Sequence, residues 1–171
     1  MHVEIRSLTG ADAREFQALR LRSLRESPEA FGSSYDEELS VSLDAVAHRL
    51  DATRTPTARI VLGAFADGVL VGVVGCVQET RAKSRHKAVI WGMYVAPEAR
   101  GQGVGRAPLD RAVAETRTWP NVMRLVLSVV ERGSAARALY RSVGFVPYAR
   151  EVDAFRQGEQ SDAVEFLALE L

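Results

Sequence analysis

The stretch of residues 91–106 constrains this chain more than any other. Trp91-Gly92-Met93-Tyr94-Val95 reads as the end of a β-strand, Pro97 stops it, and Gly101, Gly103 and Gly105 lead into a helix. Three alternate glycines remove the Cβ atoms that would keep successive main-chain N–H groups from converging. Followed by a helix N-terminus, such a turn concentrates partial positive charge and suits a diphosphate, with Arg100 and Arg106 placed to add charge-assisted contacts. The plainer reading is a tight strand-to-helix turn and nothing more. The pattern is not a Walker A loop, because no Gly-Lys-Ser/Thr closes it. Its third glycine also falls one residue early for a Gly-x-Gly-x-x-Gly dinucleotide fingerprint.

A strand feeding a helix needs a sheet, and the rest of the chain supplies one. Val3, Ile5 and Ser7 alternate with polar neighbours as a first strand. Thr9-Gly10-Ala11-Asp12 approximates a capping box ahead of a helix through Phe16, Leu19, Arg20, Ser23 and Leu24, with Pro28 beyond its end. Residues 31–38 are polar and small, and read as a loop; residues 40–50 read as a second helix. Residues 59–66 and 69–79 are strand-like runs about Asp67-Gly68, a hairpin signal because both turn positions favour positive φ. A basic connection, 81–85, leads to a strand at 86–95.

Beyond the glycines the helix offers Val104, Ala107, Ala112 and Val113 to a sheet. Residues 123–130 are a strand, 135–142 a helix ended by Gly144, and 145–150 and 163–169 are the last strands. The expectation is one domain over residues 1–171, α/β of the α+β type, with a central mixed, mostly antiparallel sheet of about seven strands and about four helices.

Charge and cysteine usage narrow the partners. Lys plus Arg and Asp plus Glu both number 22, so no global charge advertises nucleic acid or an anionic membrane. No apolar run approaches the roughly 18–20 residues that span a bilayer, and the N-terminus lacks a secretory pattern. One cysteine, Cys76, excludes an intrachain disulfide and a multi-thiolate metal cluster; inside Val73-Val74-Gly75-Cys76-Val77 it reads as a small buried hydrophobe. His2, His48 and His86 have no metal-ligand spacing, and no metal is expected. The expected setting is reducing and cytoplasmic.

Arg100-Gly101-Gln102-Gly103-Val104-Gly105 resembles the Arg/Gln-x-x-Gly-x-Gly/Ala signature of the GNAT superfamily of acyl-CoA-dependent N-acyltransferases. Met93-Tyr94-Val95-Ala96-Pro97-Glu98 looks like that family's fourth strand and its exit. Ala136-Arg137-Ala138-Leu139-Tyr140 followed by Gly144-Phe145 resembles its second signature, and the element order agrees over nearly the whole chain. The resemblance implies transfer of an acetyl group from acetyl-CoA to a primary amine by direct attack in a ternary complex. It assigns the pyrophosphate to Gly101, Gln102, Gly103, Val104 and Gly105, with Arg100 and Arg106 close by. The pantetheine arm goes to the strand edge at Met93, Tyr94 and Val95, with Gly133 and Ala136 beside it. In this family the fourth and fifth strands splay apart around the thioester, and Tyr140 would touch the coenzyme's sulfur and protonate the leaving thiolate.

Three departures accompany the resemblance. Gly133 stands where many relatives carry Asn, Pro108 lies early in the cofactor helix, and Trp91 falls near the position of a strand Glu that often serves as base. The base therefore stays open among Glu79, His86, Glu37, Glu38 and water. Trp91 and Tyr94 are expected on opposite faces of their strand, and Arg81, Lys83 and Arg85 on a solvated connection. The acceptor is expected to be a small amine or amino-acid-like molecule, and the resemblance allows a homodimer. The alternatives are a protein N-terminal or lysine acetyltransferase and an acyl-CoA-binding sensor without chemistry.

Overall fold

A computed structural model describes residues 2–51 and 58–171. Seven strands form one sheet in the order β1-β2-β3-β4-β5-β7-β6: β1 Val3–Ser7, β2 Arg59–Ala66, β3 Val69–Gln78, β4 Lys87–Val95, β5 Arg124–Val130, β6 Val146–Gln157 and β7 Gln160–Glu170. Every neighbouring pair is antiparallel except β4 and β5. The β2–β3 hairpin turns at Asp67 and Gly68, whose φ of 47° and 86° bear out the expected turn.

Five helices accompany the sheet: α1 Ala13–Glu26, α2 Tyr35–Leu39, α3 Leu43–Asp51, α4 Arg106–Thr116 and α5 Ser134–Val143. One apolar cluster packs α1 and α3, through Phe16, Leu19, Val46 and Leu50, on Val61, Val73 and Tyr94. A second packs α4 and α5, through Leu109, Val113 and Tyr140, on Val74, Ile90, Leu125 and Leu167. Full burial of side chains of this size stabilises by about 1.5–3 kcal/mol each. The two clusters cover opposite faces of the central strands, while β6 stays largely exposed.

The fifth helix corrects the sequence reading, and its cause is local. Ser34, inside the stretch read as loop, accepts from the Glu37 N–H, while Glu37 accepts from the Ser34 N–H at 2.8 Å; this capping box starts α2. The expected helix at 40–50 is instead α3, started by Ser42, whose hydroxyl accepts from the Ala45 N–H at 3.2 Å. The helix after the glycines begins only at Arg106. That changes its phase, so Ala107 is exposed while Pro108 and Leu109 are buried. Pro108 is the third residue of α4, inside the first turn, where its missing N–H forfeits nothing. Among the described residues no helix is long and apolar enough to cross a membrane.

Candidate active site

The glycine turn lies between the end of β4 and α4. Gly101 and Gly103 adopt φ of 75° and 78°, which only glycine takes without strain. Among the described residues, no N–H from 101 to 105 donates a hydrogen bond of ordinary geometry to a protein acceptor; the first to do so are Arg106 and Ala107, both to Gly103 O. A Cβ on Gly101 or Gly103 would meet nothing within 4 Å, so the turn is open to a ligand. Five consecutive free donors at a helix N-terminus make an anion nest.

Beside this nest the sheet comes apart. The parallel ladder between β4 and β5 holds only Lys87↔Arg124, Ala88↔Leu125 and Val89↔Val126. From Ile90 onward β4 keeps β3 on one edge and leaves its other edge unpaired, while β5 stays bonded to β7 as far as Val130. Gly92, at φ 63°, is the bulge residue at which β4 changes register against β3. The inserted residue resets the alternation of side chains. Trp91 and Tyr94, expected on opposite faces, both pack on the α1 side, and Met93 joins the cluster beneath α4 and α5.

Met93 and Val95 reach the nest: a Cβ on Gly105 would lie 3.8 Å from Met93 Cε, 3.5 Å from Val95 Cγ2 and 3.3 Å from Leu139 Cδ2. Leu139 belongs to α5, so the two signature segments meet here. The next residue, Tyr140, is buried edge-on against Phe145, and its hydroxyl has no hydrogen bond among the described residues. Burial pushes the Tyr140 phenol up, with Cys76 a smaller contribution, so it holds its proton at neutral pH. Burial also pushes the Cys76 thiol to about 12, as suits an inert core residue.

Other expected site residues have structural duties. Arg106 is bound to Asp110 at 2.8 Å and to the Ser142 hydroxyl at 3.1 Å, tying α4 to the end of α5. Arg100 donates from Nε to Val95 O at 2.9 Å and lies over the Tyr94 ring. The Gln102 side chain reaches back to Glu98 O at 3.4 Å. Gly133 is the N-cap of α5, and Ala136 packs in its first turn. Tyr94 donates its hydroxyl to Glu26, and Arg22 bridges Glu26 to Glu98 at 2.7 Å each. That clamp fixes α1 to the exit of β4; burial, then Glu26, raises Tyr94 to about 12, and Arg22 holds Glu98 at about 2.

The base candidates are scattered. Glu79 and His86 flank the start of β4, about 20 Å along the strand from Met93 at ~3.3 Å per residue. The exposed Arg81, Lys83 and Arg85 lie at that same end. Glu37 is spent on its capping box, and Glu38 accepts from Arg49 at 3.1 Å with Arg20 at 3.9 Å.

Sequence reasoning missed what α1 turns toward the bulge. Arg20 sits on the buried face of α1, 7% exposed, with its guanidinium carbon 4.8 Å from the centre of the Phe31 ring. Its Nη1 has no hydrogen-bond partner and lies 4.0 Å from where a Gly92 Cβ would stand. One turn earlier, Gln17 donates from Nε2 to Glu38 O at 2.8 Å while its Oε1 is unpartnered. Burial, only partly offset by Glu38, pushes the Arg20 guanidinium below its ordinary value. The signal in the sequence was an arginine within the apolar stripe of an amphipathic helix. Phe31 also lines a cleft of about 610 Å³ between residues 28–36 and the β6–β7 hairpin, where Phe155 and Asp162 form the opposite wall.

A seven-stranded mixed sheet with one short parallel seam, an anion nest at its mouth and a buried phenol beside it defines an acyl-transfer class of fold and site. The chain matches the acetyltransferase (GNAT) family over residues 19–145, and it belongs to that family. Among solved structures, a GNAT-family acetyltransferase from Streptococcus pneumoniae superposes with a TM-score of 0.90 at 22% identity, covering 99% of each chain. An acetyltransferase from Salmonella typhimurium, described with its cofactor acetyl-CoA, gives 0.85 at 20% identity, covering 99% of this chain and 94% of that one. A ribosomal-protein-alanine N-acetyltransferase from Brucella melitensis gives 0.83 at 24% identity, covering 98% and 99%. These likenesses show the shared fold.

Proposed function

We propose that the protein transfers an acetyl group from acetyl-CoA to the primary amine of a small, amino-acid-like acceptor, both substrates being bound together. The observation that carries this reading is the run of free N–H groups at 101–105 beside the unpaired edge of β4. Five free donors and the dipole of α4 suit the coenzyme's diphosphate. The open edge from Ile90 to Val95 suits its amide-bearing arm, which can add to β4 as a further strand does. Held in the seam, the thioester is presented to an amine arriving from the α1 face, and this positioning supplies much of the rate.

The amine nitrogen attacks the thioester carbon, the C–S bond breaks, and Tyr140 gives its proton to the departing sulfur. The amine's own proton passes to water, because the carboxylates considered for that task are either engaged elsewhere or at the far end of β4. Tyr140 then regains a proton from solvent. The test is thiol release from acetyl-CoA across a panel of amines, with calorimetry of coenzyme A binding alongside. Acceptor-dependent release with saturable binding supports the reading. Saturable binding without any acceptor-dependent release makes the protein a sensor, and no binding removes the proposal.

A further inference from the structure

Three charged side chains meet on the α1 face, and their charges do not cancel. Arg20 and Arg49 share Glu38; Arg49 takes its Oε1 at 3.1 Å, and Arg20 Nε stays 3.9 Å from Oε2, beyond hydrogen-bond reach. The Arg49 side chain is 36% exposed, whereas that of Arg20 is 8% exposed. The buried cation is thus left with an unpaired N–H at Nη1, aimed at the Gly92 bulge. A buried donor without a partner is costly, and more so when it is charged. Such an arrangement is stable only when something else holds it, and here Phe31 under the guanidinium and the packing of α1 do so.

The position of the free N–H is the telling point. Gly92 stands three residues past Val89, the last pair of the β4–β5 ladder, so Nη1 lies over the stretch of β4 whose other edge is unpaired. Gln17 adds an unpartnered acceptor oxygen on the same face. A cationic donor beside a neutral acceptor matches a ligand that carries an anion beside an N–H group. A guanidinium recognises a planar carboxylate with its fork of donors.

We infer that the acetyl acceptor is a carboxylate-bearing amine, an amino acid in the chemical sense, whose carboxylate is bound by Arg20 and whose N–H is steered by Gln17. The inference rests on the acetyl-transfer reading for the word acceptor but not for the binding site itself. Phe31, whose ring lies against the Arg20 guanidinium, also lines the cleft.

The experiment uses the full chain and free α-amino acids, each paired with its carboxamide, its decarboxylated amine and its aminophosphonate. Thermal unfolding without coenzyme A reports binding, and thiol release reports turnover. Wild type should be protected by a subset of amino acids, and kcat/KM for these should exceed that of the neutral twins at least 100-fold. Arg20→Met should abolish both the protection and the preference while coenzyme A affinity stays within twofold. Arg20→Lys, which keeps the charge and loses the fork, should bind the amino acid at least tenfold more weakly, and it serves as the readout should Arg20→Met not fold. Protection by amino acids without turnover of any amine keeps the carboxylate site and sinks the acetyl-transfer reading. Equal handling of carboxylates and their neutral twins, tighter handling of the aminophosphonate, a preference surviving in Arg20→Met, or no amino acid bound at all would each overturn the inference.

Discussion

Gly75 lies against the indole of Trp91: a Cβ built on it would fall 2.2 Å from Trp91 Cε2 and 2.5 Å from Cζ2. The two are also register partners across β3 and β4. The side chain at the position of the family's frequent strand carboxylate is thus a wide aromatic plate, and the opposite strand has given up its side chain to admit it. Trp91 cannot swing away cheaply, since it packs into the cluster beneath α1. Gly75→Ala should therefore destabilise the fold by about 1–3 kcal/mol through overpacking. Urea unfolding monitored by tryptophan fluorescence would measure it, and an unchanged midpoint would show that the indole is free to move.

The glycine turn makes a different kind of prediction, because its glycines meet open space. Gly103→Ala adds no clash but places a Cβ on a backbone at φ 78°. The left-handed conformation costs about 1–2 kcal/mol. If the turn relaxes to avoid it, the N–H groups diverge. Calorimetry should show coenzyme A bound roughly tenfold more weakly, equivalent to about 1.4 kcal/mol.

Tyr140→Phe removes a hydroxyl that has no protein partner, so stability should stay within about 0.5 kcal/mol of wild type. Turnover should fall by roughly 10²–10⁴, the usual contribution of a positioned proton donor, with the KM for acetyl-CoA little changed. Since burial holds the phenol above its ordinary value of 10.0, no loss of rate from Tyr140 ionisation should appear below that pH. Stopped-flow measurement of the chemical step checks both statements.

At the start of α1, Asp12 is hydrogen-bonded by Arg6 at 2.6 Å and 2.9 Å and by the Thr9 N–H at 2.8 Å. The Arg6 contact first, then Thr9, holds its carboxyl below the ordinary 3.8 despite partial burial. The folded state therefore binds this proton more weakly than the unfolded chain. Its stabilisation is complete above the unfolded value and disappears as pH falls through the folded one. Arg6 is 40% exposed, which limits the effect to about 1 kcal/mol. Asp12→Asn should be less stable than wild type at pH 7, and the gap should narrow in matched urea titrations as the pH is taken below the ordinary 3.8 and through the lowered folded value.

What could be read from the residues alone followed from patterns with one dominant cause. Asp67-Gly68 and Gly144 need positive φ, and the alternate glycines need an uncrowded backbone, so the hairpin, the cap and the turn were legible. The C-terminal hairpin was read too short because Asp153, at φ 56°, sits where the register shifts between Glu151 and Phe155 and breaks the alternation. The same defect hid the sidedness of Trp91 and Tyr94, since a bulge at Gly92 moves every side chain after it to the other face. Arg20 was visible as a helix residue, but its meaning depends on three partners from α2, α3 and β4 that no local pattern brings together.

The three-pair seam between β4 and β5 has one more consequence. Strands β1 to β4 and strands β5, β7 and β6 are each continuous ladders, so the molecule is two sheets buttoned at one end. Amide exchange should be slow within each half and fast for the β4 amides that look across the opening. A substrate arm lying along that edge would complete the weave, and protection from exchange would then run unbroken from the first strand to the last.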